Sequence, residues 1–205
     1  MFLSKIHLDI HNIQIRKCIH DCQNMHRSIQ WLFHGSRQDR SVLYRINPEK
    51  LDVYIWSANK PDINDMPTGM ILRGMKDFSI IEKQLVVGQC FGFNIIAAPS
   101  KKVMVDGEKN SKRRFLRNPQ ERIDWFERQG KKYGFELLKV QENQTFSVTG
   151  QHREENGGKI HCQVIEFQGI LRIRKCEDFQ IGWKYGIGPG KAYGQGLLML
   201  CNHNV

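Results

Sequence analysis

The sequence has no run approaching the ~18 consecutive apolar residues that a membrane-spanning helix needs, which excludes a helical membrane span in these 205 residues. Acidic residues are also in short supply. Twenty-one Asp and Glu stand against 31 Lys and Arg, a net charge of +10. Such a balance disfavours basic partners and favours polyanions, nucleic acid first and an anionic membrane surface second. Cysteine is sparse: Cys18, Cys22, Cys90, Cys162, Cys176 and Cys201 are too dilute for the disulfide framework of a small secreted domain. The opening MFLSKIHLDI lacks the continuous apolar stretch of a signal peptide and alternates instead, so it is expected to be a strand in a cytoplasmic protein. What remains is ordinary globular material. With 40% hydrophobic and 25% charged residues the chain is too apolar for disorder and long enough for one large domain or two small ones.

The period of the apolar residues divides the chain into elements. Phe2, Ile6, Leu8 and Ile10 predict a strand over 2–10. Met25, Ile29, Leu32 and Phe33 then fall at helical spacing, with Asp21 as cap and Gly35 as stop. Strands follow at 42–47 and 52–58, joined through Pro48 as a hairpin. Pro61, Pro67, Gly69 and Gly74 make 61–76 irregular or weakly helical, and 84–98 is strand-like again with bends at Gly88 and Gly92. This order fits the split β-α-β unit of a ferredoxin-like or RNA-recognition-type sandwich. After a basic stretch at 100–117, a helix is expected over 119–133, opened by Asn118 and Pro119 and carrying Ile123, Trp125 and Phe126. Strands at 135–140, 145–149 and 159–174, a helix near 176–185 and a terminal strand at 197–201 repeat the mixture. The polar QHREENGG before Lys159 reads as a hairpin tip.

Four groups of residues carry possible chemistry. The segment Gly186-Ile-Gly-Pro-Gly-Lys-Ala-Tyr-Gly-Gln-Gly lets backbone approach a phosphate closely, at Gly188 and Gly190 above all, with Lys191 as a cation in its middle. It is not a P-loop, because Tyr185 stands where the first glycine belongs and Ala192 follows the lysine; Lys191 itself breaks the dinucleotide fingerprint. A glycine-bent connection into a buried last strand is the competing reading. His26 sits beside the apolar stripe of its helix, at the edge of the core, where an imidazole exchanges protons near neutral pH; an idle edge histidine is the plainer alternative. Cys18, Cys22 and His26, spaced by four, would share one face of a continuous helix like a metal cluster. Zinc sites draw on two segments, however, so core packing is the better account of these cysteines. Lastly, Lys101, Lys102, Lys112, Arg113, Arg114 and Arg117, with His152, Arg153 and Lys159, form a candidate phosphate-tracking surface. Only Phe115 lies among them as an aromatic, which favours structured RNA or duplex over single strands.

The ending GIGPGKAYGQGLLML resembles the glycine-rich signature of the repeat-associated RNA-binding superfamily of CRISPR systems, close to its CasE-type endoribonucleases. MFLSKIHL, MHRSI, ERIDWFERQ and VIEFQGIL are similar to the same family, in its order and spacing over nearly the whole chain. The resemblance implies an α+β fold of two tandem ferredoxin-like β-α-β-β-α-β units, placed here at 1–98 and 99–205. It implies a metal-independent endoribonuclease, needing no cofactor, that cuts precursor CRISPR RNA at the base of the repeat hairpin. The products would be a 2′,3′-cyclic phosphate and a 5′-hydroxyl, and the enzyme would stay on the guide RNA beside other Cascade subunits. His26 matches the family's catalytic histidine. The basic loop and groove-entering hairpin of the family map onto 101–117 and 152–159, and Arg27 is a candidate supplier of charge at the site. The family commonly has a tyrosine three residues before the histidine, where this chain has Gln23, and some members have a lysine where it has Trp31. A glutamine delivers no phenol proton, so a non-catalytic cap on the guide-RNA hairpin is the alternative reading.

Overall fold

In the computed structural model, residues 1–34, 41–104, 111–151 and 158–202 are described. Strand β1 (Phe2–Leu8) alternates as its sequence requires, burying Ile6 and Leu8, and lies inside a four-stranded antiparallel sheet of order β2-β3-β1-β4. Its companions in that sheet are β2 (Leu43–Asn47), β3 (Asp52–Ser57) and β4 (Met70–Asp77). Two short helices connect β1 to β2. Helix α1 (Ile13–Ile19) starts where Asn12 Oδ1 accepts from the Gln14 and Ile15 amides, and α2 (Cys22–Trp31) where Asp21 Oδ1 accepts from Gln23 and Asn24. Asp21 is extended, so the chain cannot run through as one helix. Ile15, Cys18, Met25 and Ile29 close the first core against Ile6, Leu8, Tyr44, Val53 and Ile55.

A short helix α3 (Ser79–Lys83) leads to β5 (Cys90–Ala97), the first strand of a second antiparallel sheet of order β10-β5-β9-β8. After β5 come a small ladder, β6 (Ser100–Val103) with β7 (Lys112–Phe115), and helix α4 (Pro119–Lys132), capped by Asn118 with Pro119 in its first turn. Strands β8 (Phe135–Gln151) and β9 (Lys159–Ile173) form a long hairpin; α5 (Cys176–Tyr185), a 3₁₀ turn (Lys191–Tyr193) and β10 (Met199–Asn202) follow. Each four-stranded sheet has the strand order of a ferredoxin-like unit, and the fold is α+β in tandem. Among the described residues no helix is long and apolar enough to cross a membrane.

The seam between the sheets is apolar. Residues of β2 alternate between two cores: Tyr44 joins the first, and Leu43 joins Phe93, Phe126, Phe167 and Trp183 in the second. On β3, Val53 and Ile55 point one way and Trp56 the other, where its ring lies 4.8 Å from that of Trp183. At roughly 1.5–3 kcal/mol for each large side chain taken from water, this shared core is the main term joining the units. A polar link spans the same seam. The Arg45 guanidinium donates to Asn94 and to Glu166, at 2.5 Å from Glu166 Oε1, and Asn94 Nδ2 donates to the same oxygen at 2.9 Å.

Several elements depart from what the sequence predicts. Helix α1 is one, although Asn12 followed by Ile13, Ile15, Cys18 and Ile19 carries its signal. The segment 61–76, irregular by its prolines and glycines, contains most of β4, an edge strand that faces solvent and so shows little alternation. The strand expected at 84–98 as the last of the first unit is β5 of the second sheet, because it bonds to β9 and β10. Sheet membership therefore changes before β5, ahead of the division at 98/99. The strands expected at 135–140 and 145–149 are one, irregular near Leu137/Lys139 and Glu142/Gln144. Gly35 lies outside the described residues.

Burial works against the charge on Glu166, but hydrogen bonds from Asn94 and Arg45, with the guanidinium charge, hold its carboxyl below the usual carboxylate range. A carboxyl depressed by folding stabilises above its unfolded value, and that contribution is lost as pH falls through the folded value. Arg45→Met should lower the unfolding free energy by about 1.5–3 kcal/mol in urea denaturation at pH 7. The deficit should shrink as pH is lowered through the carboxylate range.

Candidate functional site

Asp21 sets where α2 begins and thereby which residues face the seam. His26, half-buried on α2, lies in a cleft of about 190 Å³ with Gln30 one turn further on, Leu43 of β2, Tyr185 at the end of α5, and Lys191 and Ala192 of the 3₁₀ turn. The Tyr193 ring meets the His26 imidazole edge-on, with centroids 6.5 Å apart. One wall of the cleft thus comes from the first unit and the other from the second.

The glycine-rich segment is shaped by packing. Gly186, Gly188, Gly190, Gly194 and Gly196 all have φ near +80°, a left-handed region that L side chains rarely adopt. A Cβ on Gly188 would lie 2.9 Å from the Trp125 ring, and one on Gly190 would strike the side chain of Gln195. Ile187, Leu197 and Leu198 are buried around it, so the segment is indeed a glycine-bent connection into the core. The same bends carry the 3₁₀ turn to the surface beside His26. Tyr193 N donates to Gly190 O at 2.8 Å, and the buried Tyr44 hydroxyl donates to Ala192 O at 3.0 Å. Lys191 is half-buried there and forms no ion pair among the described residues. Burial, and then the charge of Lys132, draw its ammonium below the ordinary lysine value.

The basic stretch carries a two-stranded ladder, β6 with β7, on either side of residues 105–110, which lie outside the described residues. Lys101 faces Arg114 and Lys102 faces Arg113 across it, and all four are exposed. Like charges directly opposite destabilise a ladder, an arrangement that an anion relieves. Lys112 and Arg117 lie exposed at its end and beyond, and Lys101 also meets Glu121 at 3.4 Å. Lys159 is exposed at the start of β9; His152 and Arg153 lie outside the described residues.

Other residues singled out in the sequence do not converge on His26. Arg27 turns toward a separate hollow with Lys17, Ser28 and Asp65, where its Nη1 is buried without a hydrogen-bond partner among the described residues. Cys18, Cys22 and His26 do not share a helix, since the chain breaks at Asp21. Cys18 Sγ sits 3.4 Å from Ser28 Oγ, while Cys22 packs under Gly150 and burial, then the Asp21 charge, pushes its thiol up to about 11. Among the described residues the grouping that does form is not one the sequence announces: His34 Nε2 lies 3.1 Å from an Asp62 carboxylate oxygen and 3.2 Å from one of Asp65, at the surface just past α2. Gln30 and Tyr185 also line the cleft, and Tyr193 touches His26 from the neighbouring hollow, without having been singled out. Gln30 alone has a legible signal, its position four residues after His26 on one helix face.

A family model described as "CRISPR associated protein" matches residues 1–201. The chain is 27% identical to the CRISPR-associated endoribonuclease Cse3 of Thermus thermophilus, covering 97% of this chain and 98% of the relative. It is 28% identical to the CRISPR system Cascade subunit CasE of Escherichia coli K12, with 98% of each covered. Its fold superimposes on Thermus thermophilus Cse3 bound to an RNA representing a pre-cleavage complex with a TM-score of 0.85, at 26% identity and 98% coverage of both chains.

Gly188→Ala should destabilise the protein by about 1–2 kcal/mol for the left-handed backbone, with a further cost as the Trp125 ring moves. Gly74→Ala is the control, because nothing lies within 4 Å of its added carbon and its φ is not positive. Urea denaturation of the two variants should show a loss in the first and a change within about 0.5 kcal/mol in the second.

Proposed function

The chain belongs to the CRISPR-associated protein family, and we propose that it is an endoribonuclease that binds the CRISPR repeat hairpin and cuts precursor CRISPR RNA at its base. It then holds the guide RNA within a Cascade complex in the cytoplasm. The observation that carries this reading is the seating of His26 in a cleft walled by the glycine-rich turn. The endoribonuclease name of one relative, the Cascade name of the other and the RNA-bound neighbour supply the substrate class.

The chemistry asks for little beyond placement. A ribose 2′-hydroxyl attacks the adjacent phosphate in line, and the reaction needs alignment, a proton acceptor and stabilisation of developing charge. His26, the residue assigned to proton transfer, is half-buried and lines the cleft rather than lying lost in the core. The exposed cations Lys101, Lys102, Lys112, Arg113, Arg114, Arg117 and Lys159 are assigned to the RNA backbone, and His152 and Arg153 to the hairpin. Lys191 is assigned to the phosphate at the cut. Gly188 and Gly190 act by shaping the turn that presents Lys191. Arg27, turned to another hollow, is assigned at most to RNA beyond the cut.

The test is incubation of the purified protein with its cognate repeat RNA in EDTA. A single cut leaving a cyclic phosphate is expected, with none on RNA carrying a 2′-deoxyribose at the cut. His26→Ala should cleave about 10²–10⁴-fold more slowly while its RNA affinity stays within a few-fold of the parent. Tight binding with no cut by the parent protein would instead make the chain a guide-RNA cap, the role that Gln23 keeps open. A second expectation concerns the ladder. Lys102→Ala with Arg113→Ala should weaken binding to any RNA hairpin and reduce the salt slope by about 1 for each phosphate left without its cation, measured by filter binding across a salt series.

A further inference from the structure

Gln23 leaves open which group protonates the leaving oxygen, and among the described residues the cleft draws one cation, Lys191, from the opposite wall. We propose that Lys191 is the second catalytic group of this site, a general acid whose ammonium donates a proton to the departing 5′ oxygen. This inference rests on the ribonuclease reading above. In the step it describes, the O2′–P bond forms as the P–O5′ bond breaks. His26 takes the proton from the 2′-hydroxyl and Lys191 gives one to O5′, leaving a cyclic phosphate, a 5′-hydroxyl, an imidazolium and a neutral amine. Exchange with water restores both groups.

Three observations carry it. Lys191 and His26 line one cleft from different units, so a phosphate between them has a base on one side and an acid on the other, as in-line displacement requires. The backbone under Lys191 is fixed from both ends, by left-handed Gly190 and Gly194, by the Tyr193–Gly190 bond and by the Tyr44 hydroxyl on Ala192. A lysine so mounted is held in place, unlike the exposed lysines of β6 and β7. Finally, its half-buried ammonium forms no ion pair among the described residues, and Lys132 adds a like charge. Keeping such a charge out of water is costly until an anion arrives. The lowered lysine value that follows from burial makes it a readier proton donor than a surface lysine.

The experiment compares two substrates under single-turnover conditions at saturating protein: the ordinary repeat RNA, and the same RNA with sulfur replacing the bridging 5′ oxygen. A thiolate leaves without needing a proton, so loss of a general acid is felt only with oxygen. The parent should cut both. Lys191→Met should be slower by about 10²–10⁴-fold on the oxygen substrate and close to the parent on the sulfur one. Lys191→Arg should show the same split, since guanidinium keeps the charge but does not release a proton near neutral pH; it also carries the test if the methionine variant folds poorly. An arginine variant as fast as the parent on oxygen would overturn the proposal in favour of charge alone. Equal slowing on both substrates would overturn it in favour of positioning, and the split appearing in Tyr193→Phe instead would move the acid to Tyr193. A parent protein that cuts neither substrate would fail the ribonuclease reading itself, whereas a cutting parent without the split fails only the role of Lys191.

Discussion

Strands β2 and β3 send buried side chains into two different cores, and the geometry of the site depends on that constraint. Successive residues of β2 must satisfy different cores, Leu43 the second and Tyr44 the first. Tyr44 brings a hydroxyl into an apolar interior, where an unpaired polar group costs on the order of 1–3 kcal/mol. It avoids that cost by donating to Ala192 O, and burial holds its phenol protonated at any pH the protein meets. The bond therefore ties the core beneath α2 to the turn that carries Lys191. The first sheet thus serves as a wall of the first unit and as the floor of the cleft.

Charge follows the opposite logic. Arg122 is buried and paired with Glu142 at 2.7 and 2.5 Å, and Arg45 is paired with Glu166, so the cations that hold the fold together are matched. Those on β6 and β7 face one another across a ladder with like charge. A ladder built for stability would alternate sign. An approaching polyanion would relieve the like-charge repulsion across this one, so within the net charge of +10 these unmatched cations are distinct from the matched ones that hold the fold.

Much of this is legible in the sequence because periodicity reports one-sided burial. Strand β1, helix α2 with its Asp21 cap, helix α4 with Asn118 and Pro119, and the β8–β9 hairpin all show it. Edge strand β4 is not legible, since most of its side chains face water. Nor is the membership of β5, because a strand's own pattern does not say which partner it bonds. His26 is legible as a helix-edge histidine and through the resemblance of MHRSI. Lys191 is legible as the cation of its glycine-rich segment, but its placement with Tyr185 opposite His26, across more than 150 residues of chain, is not, since packing alone sets it. Arg27, adjacent to His26 in sequence, points elsewhere because neighbouring helix positions lie about 100° apart.

The division of the cleft between two units has a mechanical consequence. His26 rides on α2 of the first unit and Lys191 on the turn before β10 of the second, so their separation is not internal to either unit. That separation is set where the units meet: by the Tyr193 ring against His26, the packing of Trp56 on Trp183, the Arg45–Glu166–Asn94 link and the Tyr44–Ala192 bond. Displacement of a reacting group by about 1 Å can cost 10²-fold in rate, far more than the same slip costs a core in stability. The seam is accordingly both apolar and polar. Apolar burial supplies strength without direction, while the three-way link at Glu166 and the tyrosine bond supply direction. Loosening the polar part alone would leave a folded protein in which the two groups proposed for proton transfer, His26 and Lys191, no longer face each other across the cleft.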